Sequence, residues 1–585
     1  MSDTHNHTQT ADFQKFIADM QQAGQQWVHS LGGAQLPTNS AELQAAWLKA
    51  IGAFAPSVGG IGGVKEMQAH WNAEQQKLMA QFAHGSGVSA QDKRFQSTDW
   101  QSAAQYRLLA DAYLATSQSL LQSLDSVNLR PAEKKRARFF LKQYLDAIAP
   151  SNFLATNPEA IRLAVETKGE SLRIGAENFT GDIAKGHVSI TDETAFDVGK
   201  DIAVSPGKVI FENDLFQLIQ YQPSTDQVYV RPMLFVPPCI NKFYILDLTP
   251  ENSLIRYLVS EGHTVFVMSW RNVDASLGHL TWDDYIASGV VKAIDLVRVV
   301  TNVEKINTLG FCVGGTLLAC ALAVLRRMKH DVVESATFLT TFVDFTDVGD
   351  IDAYIDENFV ATREREVGLG GVVKGADLAF AFSSLRANDL IWSYVVSNYL
   401  KGSKPPAFDL LYWNADSTNL PGPWYCWYVR NTYLENNLVK PDRLTVCNVP
   451  LDMSYVDMPS FVFAAKEDHI VPWRSAFASA ASFGGDVEFT LGASGHIAGV
   501  VNPASKNKRS FWQHKSSSAA LEITVEEWLE KVEEVPGSWW VKWVDWLAPY
   551  GGRPISARNV LGNSEFTPIE DAPGRYVRAK TDDGC

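Results

Sequence analysis

The chain has 585 residues, more than one ordinary domain, so two or more folded units are expected. Hydrophobic residues make up 46% and charged residues 20%, which excludes a disordered or fibrous chain and leaves ample material for a core. A net charge of −15 excludes a broad nucleic-acid-binding surface, and an anionic substrate would have to be met by a local basic pocket.

The first residues, Met1-Ser2-Asp3-Thr4-His5-Asn6-His7, are polar and carry no signal-peptide core. Six cysteines (Cys239, Cys312, Cys320, Cys426, Cys447 and Cys585) are scattered, with no C-x-x-C pair and no metal-ligand spacing. Reduced thiols in a cytoplasm are expected, with no metal and no cofactor. From residue 1 to about 190, apolar residues recur at three- and four-residue spacing and predict an all-helical N-terminal domain. Its helices are expected over 12–31, 41–54, 65–82, 100–124, 132–148 and 158–183. Pro131 and Pro158 stand where helices start.

The pattern then changes. Apolar runs at 232–236, 264–269, 305–309, 336–342, 460–464 and 487–491 read as buried parallel strands alternating with helices. That alternation predicts an α/β fold, a doubly wound sheet of the α/β-hydrolase kind, over 191–585. The alternation stops between about 345 and 447, a stretch rich in Trp, Tyr, Phe, Asn and Pro, which reads as a cap inserted over the sheet with a helix near 385–399. The tryptophans of 539–546 are spaced for one face of a helix packed on the core. The longest apolar stretch, 309–325, is short for a membrane span and holds glycines in its first half, so no transmembrane segment is expected.

The sharpest motif is Gly310-Phe311-Cys312-Val313-Gly314-Gly315, between a predicted strand and a predicted helix. It is the G-x-C-x-G form of a nucleophile elbow, with cysteine where serine usually stands. Side chains two residues before or after the nucleophile would clash in so tight a turn. The turn also sets the thiol at a helix N-terminus, where positive charge favours thiolate. Such a nucleophile needs an acid and then a histidine later in the chain. Asp468 ends the run Ser460-Phe461-Val462-Phe463-Ala464-Ala465-Lys466-Glu467-Asp468, and His496 follows Val487-Glu488-Phe489-Thr490-Leu491 in a glycine-containing loop. His469 and Glu467 are the rivals; adjacency to Asp468 disfavours His469 as the base. The oxyanion hole is assigned to the amides of Val313 and of Ile240, which follows the stiff Pro237-Pro238 turn. Cys239 and Cys320 read as inert buried thiols. Cysteine suits acyl exchange because transfer between two thioesters is nearly balanced, whereas transfer to serine runs downhill.

With these residues in place the chain resembles the class I polyhydroxyalkanoate synthases over most of residues 100–585. The likeness rests on long matches, among them Pro237-Pro238-Cys239-Ile240-Asn241-Lys242, the elbow itself, Leu411-Tyr412-Trp413-Asn414-Ala415-Asp416-Ser417-Thr418-Asn419 and Ser494-Gly495-His496-Ile497-Ala498-Gly499. Residues 1–98 match loosely. The resemblance implies polymerisation of (R)-3-hydroxyacyl-CoA into polyester with release of CoA. In it Cys312 holds the acyl chain, His496 deprotonates Cys312, and Asp468 either orients His496 or helps activate the 3-hydroxyl. It further implies a homodimer without a separate subunit, a cap that opens for substrate, and residence at the surface of a polyester granule in the cytoplasm, where granule-associated proteins are potential partners. Lys506, Lys508 and Arg509 read as a solvated charge cluster in preference to a CoA phosphate site. The competing functions are a thiol-dependent thioesterase or depolymerase of the same fold, and a catalytically dead granule scaffold protein.

Overall fold

The computed structural model describes residues 91–514 and 523–581. The helices expected over 12–31, 41–54 and 65–82, and Cys585, lie outside them. The described residues divide into two compact units. One runs up to Asp192 and adds Ser383–Pro406; the other holds Glu193–Phe382 and the chain from Ala407 onward.

The first unit is helical, with helices Thr98–Ser102, Ala104–Ser126, Pro131–Ala147, Pro158–Glu166 and Glu170–Lys185. Phe95, Trp100, Tyr113, Leu120, Leu124, Leu141 and Leu145 form its core. Two expected helices are each broken in two. Ala103 is extended (φ −98°, ψ 115°) and interrupts the first, although alanine is a good helix former and gives no signal of a break. Lys168 and Gly169 take positive φ values of 52° and 87° and end the helix begun at Pro158. Ser383–Pro406 comes from the stretch read as a cap, yet it packs within this unit. Asn388 Nδ2 donates to Asp146 Oδ1 at 2.6 Å, Tyr399 OH to Asp182 Oδ2 at 2.7 Å, and Asn398 Nδ2 to the Ser189 carbonyl at 2.7 Å. Apolar spacing locates a helix but does not say which core it joins.

The second unit is built on an eleven-stranded sheet. Its strands in chain order are β1 (Gly207–Glu212), β2 (Phe216–Tyr221), β3 (Met233–Val236), β4 (Val265–Trp270), β5 (Ile306–Phe311) and β6 (Val333–Leu339). They are followed by β7 (Ser460–Ala465), β8 (Val487–Gly492), β9 (Ser510–His514), β10 (Val532–Pro536) and β11 (Glu570–Asp571). The spatial order is β10-β9-β8-β7-β6-β5-β3-β4-β2-β1-β11. From β4 to β8 every pair is parallel, while β2, β1 and β11 on one side and β9 and β10 on the other are antiparallel. The parallel strands are apolar on both faces because helices cover both, and β3, β4, β5 and β7 are buried along their whole length. The chain passes from β3 outward to β4 and then back across to β5. The carboxyl ends of β3 and β5 therefore diverge at a switch point, where folds of this type place their ligands.

Candidate active site

Cys312 follows β5 directly and precedes the helix Val313–Arg327. Its backbone is held at φ 53°, ψ −128°, a region costly for any residue with a side chain. Three glycines make the turn possible. A Cβ on Gly310 would lie 2.4 Å from Gly315 Cα, one on Gly314 would lie 2.3 Å from the Val236 carbonyl oxygen, and one on Gly315 would lie 2.0 Å from Thr341 Oγ1. A side chain two residues either side of the nucleophile would therefore clash, as expected from the motif. The Cys312 amide donates to the Leu339 carbonyl at 2.9 Å and ties the strained residue to β6.

Asp468 lies beyond β7 and His496 beyond β8, and the fold brings both to the thiol. His496 Nδ1 is 2.7 Å from Asp468 Oδ2. Asp468 Oδ1 accepts the Ile470 and Val471 amides at 2.8 Å each. Its side chain is fully buried, so these three bonds stand in for lost water. Cys312 lies within electrostatic reach of the imidazole. Burial works against a charged His496, but the Asp468 carboxylate and Cys312 outweigh burial and raise its pKa to about 10. The site therefore favours the protonated, imidazolium form of His496. Phe311 stacks on the imidazole with ring centroids 5.7 Å apart.

The rivals are not placed for the same work. Glu467 is exposed, and the Asp468 carboxylate is bonded to His496. Cys239 and Cys320 are buried, and burial pushes both thiols well up. Lys506 and Arg509 are exposed and engaged, with Asn252 Oδ1 and the Ala498 carbonyl respectively. Val313 opens the helix after Cys312, so its amide has no intrahelical acceptor. Ile240 lies in the loop after β3, against which Gly314 presses. Phe342, Phe345, Tyr428 and Tyr433 form an aromatic cluster with centroids 4.8 to 6.4 Å apart, and burial pushes both phenols well up.

One support was visible in the sequence without its purpose. The tryptophan-rich helix Trp539–Gly551 buries Trp539, Trp540 and Trp543 almost completely. Trp539 Nε1 donates to the Gly499 carbonyl at 3.0 Å and Trp540 Nε1 to the Val500 carbonyl at 2.9 Å. Both acceptors end the short helix His496–Val500, so two indoles brace the turn that carries the histidine. The apolar stripe announces the helix; the direction of its N–H groups depends on the fold.

A thiol elbow at a switch point, with acid and histidine on later strands, is the arrangement of the α/β-hydrolase fold. The family model "alpha/beta hydrolase fold" matches residues 233–503, and "Poly-beta-hydroxybutyrate polymerase (PhaC) N-terminus" matches residues 91–258. The chain is 48% identical over 540 residues to the poly(3-hydroxyalkanoate) polymerase subunit PhaC of Cupriavidus necator, covering 90% of this chain and 91% of that one. It is 41% identical to the subunit PhaC of Rhizobium etli (84% and 77% covered) and 43% identical to the poly(3-hydroxyalkanoate) polymerase of Methylorubrum extorquens (84% and 81% covered). The chain belongs to the poly(3-hydroxyalkanoate) polymerase family.

Proposed function

We propose that the chain makes its polyester through a covalent thioester on Cys312, with His496 as general base and acid and Asp468 as its orienting partner. That it is an acyl-transferring enzyme that polymerises 3-hydroxyacyl units follows from family membership at this identity and coverage. The observation that carries the finer reading is the buried Asp468–His496 pair at 2.7 Å, ending on a thiol held at a positive φ.

The Cys312 proton passes to His496, and the thiolate attacks the carbonyl carbon of an (R)-3-hydroxyacyl-CoA thioester. The oxyanion is met by the Val313 and Ile240 amides. The carbon–sulfur bond to CoA breaks, and CoA takes the proton from His496 as it leaves. The 3-hydroxyl of a second hydroxyacyl-CoA then attacks the Cys312 thioester and gives its proton to His496. An ester forms and Cys312 departs as thiolate. Attack of Cys312 on the lengthened CoA thioester returns the chain to the enzyme and releases CoA. Both Asp468 oxygens are already engaged, by two amides and by His496, which supports the orienting role over direct activation of the 3-hydroxyl.

The test follows purified protein with (R)-3-hydroxybutyryl-CoA, reading free CoA with a thiol reagent, insoluble polyester, and the mass of the peptide carrying Cys312. CoA, polymer and an acylated Cys312 are expected; CoA with free 3-hydroxybutyrate alone would make the protein a thioesterase. Cys312→Ala must abolish turnover, and polymer formation by that variant would sink the thioester route. The resemblance also supports a homodimer at the granule surface in the cytoplasm, checked by sedimentation and by recovery with isolated granules. Among the described residues no helix is long and apolar enough to cross a membrane.

A further inference from the structure

We infer that Thr418 is a positioning residue for the oxyanion hole: its hydroxyl fixes the direction of the Ile240 amide by holding the carbonyl of the same peptide unit. The inference rests on the thioester route above, in which Ile240 supplies one of the two oxyanion donors.

The loop after β3 begins with Pro237 and Pro238, neither of which has an N–H to anchor it. Its base is fixed, because Trp270 Nε1 donates to the Pro237 carbonyl at 2.9 Å and Gly314 packs against that carbonyl. Beyond the prolines the loop is clasped by Asp416-Ser417-Thr418. Thr418 Oγ1 donates to the Cys239 carbonyl at 2.7 Å in a buried bond. The Thr418 amide donates to the Ile240 carbonyl at 3.4 Å, and Asn241 bridges to Ser417. Lys242 Nζ donates to Asp416 Oδ1 at 2.8 Å, both side chains being almost fully buried. Four consecutive loop residues are therefore held by three consecutive residues far along the chain.

The first of these bonds bears on catalysis. A peptide unit is planar and trans, so the Cys239 carbonyl and the Ile240 N–H point in opposite directions. Fixing the oxygen fixes the hydrogen. Thr418 sits on the carbonyl side of this peptide, so the Ile240 N–H points away from Thr418. An oxyanion donor that must meet charge developing in the transition state is effective only if it is held before the reaction. The clasp is itself anchored. Asn419 is buried, takes Asn272 Oδ1 as acceptor for its amide at 2.9 Å, and donates from Nδ2 to the Val273 carbonyl at 3.1 Å, so Thr418 cannot rotate away without breaking bonds beyond β4.

The experiment compares Thr418→Val, which keeps the shape and removes the hydroxyl, with Thr418→Ser, which keeps the hydroxyl. Two rates are read on each: CoA release from (R)-3-hydroxybutyryl-CoA, as kcat and KM, and alkylation of Cys312 by iodoacetamide. Alkylation is a direct displacement that forms no oxyanion, so it reports the Cys312–His496 pair alone. Thr418→Val is expected to lower kcat about 10-fold or more, with KM changed less than about twofold and alkylation unchanged; Thr418→Ser is expected to restore kcat. A normal kcat in Thr418→Val overturns the inference, as does a parallel loss of alkylation, which would mark general damage. Wild-type protein that still turns over after complete alkylation of Cys312 overturns the thioester route, and the role of Thr418 with it.

Discussion

Two buried histidines stand at opposite ends of the same parallel sheet and titrate in opposite directions. His496 follows the carboxyl end of β8, is paired with Asp468, and has its pKa raised to about 10. His263 precedes the amino end of β4, is fully buried against Tyr229 with ring centroids 4.6 Å apart, and neither ring nitrogen has a hydrogen-bond partner among the described residues. Burial alone lowers its pKa to about 4. Burial is common to both, so the partner decides the sign. The carboxyl ends of the strands carry paired charge and backbone strain; at the amino end of β4 the same side chain serves as neutral packing.

Removing the partner should collapse the contrast most completely. Asp468→Asn keeps the shape but takes away the charge that holds the His496 tautomer and its imidazolium. A fall in CoA release on the order of 10³- to 10⁴-fold is expected, the scale for neutralising the acid of a nucleophile–histidine–acid triad. Folding should survive, as judged by an unchanged sedimentation profile. A loss of less than tenfold would mean that His496 does not depend on Asp468.

The strain at this end can be tested separately. Gly314→Ala would set a Cβ 2.3 Å from the Val236 carbonyl oxygen and 2.4 Å from that of Pro237, both backbone atoms at the switch point. A destabilisation of about 3 kcal/mol is expected in urea unfolding. A neutral result would mean that β3 and the elbow can separate freely.

At the other end, His263 makes stability depend on pH in a defined window. Its pKa in the fold is lowered to about 4 against an ordinary 6.5. Below 6.5 the unfolded chain takes up a proton that the fold refuses, so stability is complete above 6.5, falls as pH drops, and stops falling below about 4. The whole change is about 3 kcal/mol. His263→Leu should flatten that part of the profile, measured as the urea midpoint at pH 7.5 and pH 5. An equal slope in both proteins would show that His263 finds a partner for its proton.

The same division governs what could be read from the chain. All six parallel strands were legible as apolar runs, because strands covered on both faces are apolar throughout; the run read as 336–342 forms β6 three residues earlier. β1, β9 and β10 mix polar or charged residues with apolar ones, as in Val532-Glu533-Glu534-Val535-Pro536, and give no such signal. Cys312, Asp468 and His496 were legible because their chemistry needs a fixed order at strand ends. Thr418 was visible as part of a family motif, but its role depends on which carbonyl the fold brings to its hydroxyl. The helix at 385–399 was legible as apolar spacing, while its place in the helical unit depends on partners such as Asp146 and Asp182.

The smallest expected effect tests whether the carboxyl end needs support beyond its charges. Trp539 lies behind the histidine turn, stacks on Phe463 at 4.2 Å, and gives its indole N–H to the Gly499 carbonyl. Trp539→Phe keeps most of the apolar contact and leaves that buried carbonyl without its donor, a cost of about 1 to 2 kcal/mol. Because the carbonyl belongs to the turn that starts at His496, some of this cost should appear as motion of the imidazole, and a fall of a few-fold in kcat is expected with KM unchanged. If stability falls by that amount while kcat holds, the Asp468 bond and the Phe311 stack are sufficient to place His496, and the indole braces the fold without acting on the chemistry.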